Sequence, residues 1–467
     1  MRILSRRVWT GTGVAMAAAA VVILAGALSA ALSLRPGAAS AGLPSNSRTA
    51  TASQGDWSQY RYDVFGTGVN PAGGISLANA AQLQSRWTAT TGPFVAGAAI
   101  VGDVVYAPKG AGLAAYNLHT GQQLWYFSDL PNHYGGVFSA VSVDAATHSA
   151  YYGTPDGFVY AVDISTGQGL WHTQLGDPAH GAFIWDAPLL VNGKVYIGLA
   201  SQEDSPCVRS AVFALDPRTG AIEWTHYTAP AGTLGGGVWS SLTANPALHD
   251  VIATTGNPCP IGPTQDDEDA IVALDWNTGA LDWRYTVIAR DNCDCDFGEG
   301  AVSYTYGGQS YIVAGNKDGI IYALALSPSG TSVKLAWSTR ISGAGYLGSA
   351  GIYQPPTYSD GLVFVAGGPT TDGACVGGAL WALQAQTGAP VWRQCTSSQV
   401  VSAGAISGGV LFVAQRNVIV GYDTRNGQVV WHAAYTGDVY GGIALARGFL
   451  IVPTLASGLR CYSIPGA

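Results

Sequence analysis

One phrase recurs along this chain and limits what it can fold into. It reads LAAYNLHTGQQLW at 113–125, VYAVDISTGQGLW at 159–171, VFALDPRTGAIEW at 212–224, IVALDWNTGALDW at 271–283, LWALQAQTGAPVW at 380–392 and IVGYDTRNGQVVW at 419–431, with a looser copy, IYALALSPSGTSVKLAW, at 321–337. Alternating apolar residues on both sides give the two-residue period of strands. The central T-G or N-G supplies the positive φ that a tight hairpin needs. Ahead of most copies lie two further apolar stretches split by another turn, as in APLLVNGKVYIGLA at 187–200. Four short strands per unit, repeated at this spacing, predict a β-propeller.

The tryptophans that end the units number the blades: Trp87, Trp125, Trp171, Trp224, Trp283, Trp337, Trp392 and Trp431. The expected fold is therefore all-β, an eight-bladed propeller over 56–467. Because they recur with the repeat, these tryptophans are expected to pack blade against blade. Trp87 has no repeat phrase before it, and GLRCYSI at 458–464 has no TGxxxW after it. The two are expected to complete one blade between them, which removes the free edges an open ring would leave. Glycine suits so many turns: 63 of 467 residues, near twice the usual ~7%.

Charge is scarce, at 11% of residues against the ordinary ~25%. A net charge of −8 without Lys/Arg clusters excludes nucleic acid as a partner. The N-terminus carries Arg2, Arg6 and Arg7, then an uncharged run from Val8 to Leu34, then small residues. This pattern predicts an export signal over 1–34, and the run is also long enough to stay as a membrane anchor. Residues 35–55 read as a flexible linker. The rest of the chain is expected to be secreted or held on the outer face of the membrane.

Against this background the stretch DNCDCDFGEG at 291–300 stands out, with Asp291, Asp294, Asp296, Glu299, Cys293 and Cys295 in ten positions. If the loop is extended, Asp294 and Asp296 point to opposite sides and one of them faces any pocket. A second acidic run, Asp266 to Asp269, reads as a solvated loop. The seven cysteines of an exported chain suggest disulfides and one free thiol. Cys375 and Cys395 flank one strand-turn-strand phrase, whose antiparallel return brings them together. Cys207, Cys259, Cys293 and Cys295 belong to neighbouring insertions, with their pairing open. Cys461, at a small apolar position of its phrase, is expected to be buried and free.

The AxDxxTGxxxW units, with the opening DWSQYRYDVFGTGVNP at 56–71, resemble the quinoprotein family that binds pyrroloquinoline quinone (PQQ). SxED…C…RS around 202–210 and DCDFG at 294–298 lean towards its polyvinyl-alcohol-dehydrogenase-like branch. The resemblance implies roles for particular residues. GGVWSSLTANPALHDVIATTGNP at 236–258 matches a segment in which a tryptophan, here Trp239, forms a flat floor for PQQ and an asparagine, here Asn257, ligates calcium. VYIGLASQEDSPCVRSAVFALD at 195–216 aligns Glu203 with a further calcium ligand. YIVAGNKDGIIYALAL at 311–326 aligns Lys317 with the cation that touches the quinone oxygens, although an N-K-D-G turn equally suits an exposed hairpin. DCDFGEGAV at 294–302 aligns Asp296 with the catalytic aspartate and third calcium ligand. Such a set makes chemical sense: Ca²⁺ takes oxygen ligands, and a carboxylate beside the carbinol can remove its proton.

The implied activity is oxidation of a small-molecule or polymeric alcohol with PQQ and Ca²⁺. No C-x-x-C-H haem site occurs, so electrons would pass to a separate acceptor. The sequence also departs from the family. It lacks an adjacent cysteine pair, the early-blade arginine has no counterpart near NHYGGVFSA (132–140), and Trp185 lies where a small hydroxyl residue is expected. Cofactor-free scaffold propellers share the repeat, so the alternative is a non-catalytic extracytoplasmic module that holds a protein or polymer.

Overall fold

The computed structural model describes residues 55–90, 92–128, 136–202, 206–291, 293–347 and 349–467. The export segment expected over 1–34, all but the last residue of the linker expected over 35–55, and Glu203 lie outside the described residues. Among the described residues no helix is long and apolar enough to cross a membrane.

Among the described residues eight antiparallel sheets, each built on four strands, form the blades, and a two-stranded pairing of Leu234–Gly235 with Pro258–Cys259 is added beside them. The first blade is Ala99–Val101, Val104–Lys109, Gly112–Asn117 and Gln123–Phe127. The first strands of successive blades touch one another, so they form the innermost ring. The eighth blade closes the ring as the sequence predicts: Ala444–Ala446, Phe449–Thr454 and Gly458–Ser463 come from the C-terminus, and Gln84–Ala89 from the N-terminal side. Trp87 lies opposite Cys461 in that pairing. The third blade adds a short strand, Ala182–Phe183, alongside Lys194–Ser201.

The repeat phrase has a concrete function in packing. In DISTG, one Asp163 oxygen accepts from Ser165 N at 2.9 Å, Thr166 N at 2.7 Å and Thr166 Oγ1 at 2.8 Å, and Asp216 and Asp275 repeat this turn. The glycine that follows has φ near +70° and lies under the tryptophan of the preceding blade. A Cβ on Gly167 would meet Trp125 Cδ2 at 2.7 Å. That tryptophan donates its indole N–H to the same turn, Trp125 Nε1 to Ile164 O at 3.1 Å. The contact recurs around the ring, ending with Trp431 donating to Leu83 O at 3.1 Å. Trp283 is the exception: its indole N–H acts on the Asp250 carboxylate rather than on a backbone turn, and Gly330 packs on Leu248 instead.

The N-terminal phrase lies across the axis and touches every blade in order. Trp57 pairs with Ile100 through two 2.8 Å bonds; Ser58 O accepts from Val143 N, Gln59 Oε1 from Leu190 N, Val64 O from Ala244 N, Phe65 O from Ser303 N, Thr67 O from Tyr358 N and Gly68 O from Ile406 N. Asn70 Nδ2 donates to Leu445 O at 2.8 Å. At its centre Arg61, 3% exposed, donates to Ala301 O and Pro356 O, each at 2.7 Å. A buried guanidinium is tolerated because carbonyls occupy its donors.

Three disulfides are present. Cys375–Cys395 forms as expected, with Cα atoms 5.1 Å apart, and Cys461 is buried and free. The pairing left open resolves as Cys207–Cys259, between insertions of two blades, and Cys293–Cys295.

Candidate active site

The loops that enter the inner strands of the fourth and fifth blades bring the predicted residues together. Trp239 precedes Thr243–Asn245, and Asp294 and Asp296 precede Val302–Tyr306. Lys317 sits in the turn between Gln309–Gly315 and Ile320–Leu326. That turn is locked, since Asn316 Oδ1 accepts from Asp318 N and Asp318 Oδ1 from Ile320 N, each at 2.8 Å. Lys317 is thereby directed inward and is 8% exposed, so the exposed-hairpin reading of N-K-D-G does not apply. Its backbone N–H donates to Asp296 O at 3.0 Å. Its ammonium ion-pairs with Asp296 Oδ1 and lies 3.1 Å from Asp294 Oδ1. Trp239 Nε1 donates to Asp296 Oδ2 at 3.1 Å. The ammonium also stands 5.0 Å from the centroid of the Trp239 ring.

The loop itself corrects one expectation. Asp294 and Asp296 do not point to opposite sides: both reach Lys317. The chain there is not extended, because Asp294 has φ +52° and Cys293 and Cys295 are joined across it. Asp291 beneath the ring accepts from Cys293 N at 2.8 Å and from Cys295 N at 3.2 Å.

The acidic run is a second correction. Asp266 is exposed, but Asp267, Glu268 and Asp269 are 4%, 1% and 0% exposed. Asp267 is held by His226 Nε2 at 2.8 Å and Arg284 at 3.0 Å. Asp269 donates its backbone N–H to Gly256 O at 3.0 Å, while neither of its side-chain oxygens has a hydrogen-bond partner. Local composition could not reveal this, because the partners come from outer strands far along the chain.

Asn257 follows Gly256, and a Cβ on Gly256 would lie 3.0 Å from Asp296 Oδ2. Asn257 is thus next in sequence to a residue that meets Asp296; its own side chain is half-buried and donates to Pro258 O at 3.2 Å. Trp185 is placed by stacking on Phe183, centroids 4.1 Å apart, and donates to Ser201 O.

Burial dominates the titration of these groups. It raises Asp296, against the lowering effect of the Lys317 ammonium and the Trp239 N–H. Burial also lowers Lys317, but Asp296 and Asp294 outweigh it and hold the ammonium charged. Burial, with the nearby charges of Asp296, Asp291 and Glu268, pushes Asp269 up to about 9. Glu299 is pushed up to about 8 by burial, with Arg61 opposing.

The donor set fits the groups that the family resemblance implies. The carboxylates of Asp294 and Asp296 contact the ammonium of Lys317, and buried Asp269 leaves both side-chain oxygens unpaired. Unpaired buried carboxylate is costly in the absence of a counter-charge; a hard cation seeking oxygen ligands would supply one. A half-buried indole face beside a fixed ammonium suits a flat anionic quinone.

A family model described as "Glucose/ethanol/alcohol dehydrogenase, beta-propeller domain" matches residues 57–327, and one described as "Outer membrane protein assembly factor BamB" matches 317–452. Among curated relatives, a polyvinylalcohol dehydrogenase of Sphingopyxis sp. is 25% identical over 82% of this chain and 68% of its own length. A second polyvinylalcohol dehydrogenase, from Pseudomonas sp., is 24% identical over 86% of this chain and 72% of its own. The europium-containing methanol dehydrogenase superposes with a TM-score of 0.72 at 18% identity, covering 88% of this chain and 98% of that one.

Proposed function

This chain belongs to the glucose/ethanol/alcohol dehydrogenase β-propeller family, and on that footing we propose that it is an exported quinoprotein that oxidises a small or polymeric alcohol. The observation that carries the reading is the Lys317 ammonium, buried over the Trp239 ring and held by Asp294 and Asp296. When bound, PQQ supplies a two-electron acceptor and Ca²⁺ a Lewis acid beside it. Trp239 provides a flat apolar surface for the ring. Asn257, Asp296 and Glu203 are the residues that would hold the cation.

Asp296 is the group that takes the hydroxyl proton of the alcohol. It serves as a base only when ionised. Burial opposes ionisation, and the Lys317 ammonium and Trp239 N–H favour it. Lys317, 8% exposed, also offers fixed positive charge where negative charge develops. Electrons then leave to a separate acceptor.

The scaffold alternative has one observation in its favour: the match of residues 317–452 to the assembly-factor model. Trp239, Asn257 and Asp296 lie outside that match. The test is a dye-linked assay on purified apoprotein supplied with PQQ and Ca²⁺ and offered short alcohols and polyvinyl alcohol. Dye reduction that needs both additions supports the enzyme. No dye reduction with any alcohol leaves the scaffold reading.

A further inference from the structure

Asp269 has no part in the family resemblance, yet the fold ties it by a backbone bond to Gly256, on which Asp296 Oδ2 closes. It follows the exposed end of the acidic run and is itself 0% exposed. Its backbone takes a left-handed conformation, φ +45°, which costs a non-glycine residue on the order of 1 kcal/mol. The conformation is enforced on both sides: Asp269 N donates to Gly256 O, and Asp269 O accepts from Val287 N, each at 3.0 Å. The first of these bonds ties it to the residue preceding Asn257. Gly256 is also the point at which Asp296 Oδ2 approaches the fourth blade.

Neither Asp269 oxygen has a hydrogen-bond partner. Its neighbours differ in this respect. Asp267 is satisfied by His226 and Arg284, and Asp291 by the backbone N–H groups of Cys293 and Cys295. A dry, unpaired carboxylate is a poor structural element. It is a good ligand for a hard cation, whose affinity depends on the number of charged oxygens around it.

We infer that Asp269 provides an additional carboxylate to the cation held by Asn257 and Asp296. The inference rests on the reading of this pocket as a cation site and adds a residue to it. The test is calcium binding, independent of turnover. Protein stripped with EDTA is titrated with CaCl₂ by calorimetry, as wild type, Asp269→Asn and Asn257→Ala, and each is melted without metal. Asp269→Asn should bind calcium at least tenfold more weakly while its metal-free unfolding transition stays in place, because a neutral amide of the same shape replaces an unpaired carboxyl group. Asp269→Ser, smaller and neutral, reads the same quantity should the amide not fit. If wild type binds calcium and both Asp269 variants bind it within twofold as tightly, the inference fails alone. If wild type binds no calcium, the cation-site reading fails and the inference with it.

Discussion

Replacing Lys317 with Met tests the electrostatics of the pocket without any cofactor. The methionine nearly matches the lysine stem in length and removes the charge. In the metal-free protein it leaves Asp296 and Asp294 without the ammonium that both contact, Asp294 at 3.1 Å. Breaking a buried ion pair from one side costs about 3–5 kcal/mol. The cost should depend on pH in a defined direction. Burial already raises Asp296, and loss of Lys317 raises it further. A carboxyl with a raised folded-state pKa is stabilising when protonated and loses that stability as pH rises from its unfolded value, about 3.9. Lys317, itself raised, stays charged throughout this window. Urea unfolding in EDTA should therefore show wild type and Lys317→Met close together near pH 4. The gap should widen towards about 3–5 kcal/mol by pH 8. A gap below about 1 kcal/mol at pH 8, the level of an exposed pair, would refute the buried ion-pair account. A gap independent of pH would refute its assignment to Asp296.

Two further outcomes follow from the geometry. Asp296→Asn should lower turnover by roughly 10²–10⁴-fold, the worth of general-base assistance, whereas Asp294→Asn should cost about tenfold or less; equal losses in steady-state assays would contradict the assignment. Gly167→Ala and Gly193→Ala impose similar positive φ, +72° and +68°, but a Cβ at Gly167 strikes Trp125 and one at Gly193 meets nothing within 4 Å. Gly193→Ala should cost about 1 kcal/mol and Gly167→Ala at least twice that in chemical denaturation, and equal costs would remove the tryptophan from the blade contact.

What could be read from the chain alone followed from periodicity. Blade number, closure by the two ends and the packing of the tryptophans all repeat, so each copy supports the others. Cys375–Cys395 was legible because its partners flank a single hairpin. Trp239, Asn257, Lys317 and Asp296 could be aligned because each lies in a phrase of its own. The unread features do not repeat. The sixteen residues at 56–71 have no period, and their eight-blade circuit appears only when the ring is closed. The acids at 266–269 look solvated by composition, but Asp267, Glu268 and Asp269 are buried, and Asp267 is held by strands from two blades. The Asp294–Asp296 geometry depends on the Cys293–Cys295 bond, whose pairing spacing could not choose.

The most direct test of the central claim, that the Trp239–Lys317–Asp296 pocket is a quinone site, is the stoichiometry of PQQ binding by equilibrium dialysis in the presence of Ca²⁺. The account predicts one PQQ per chain, with affinity at least tenfold lower in Trp239→Ala and in Lys317→Met. No saturable PQQ binding, or binding that both variants leave unchanged, would contradict it.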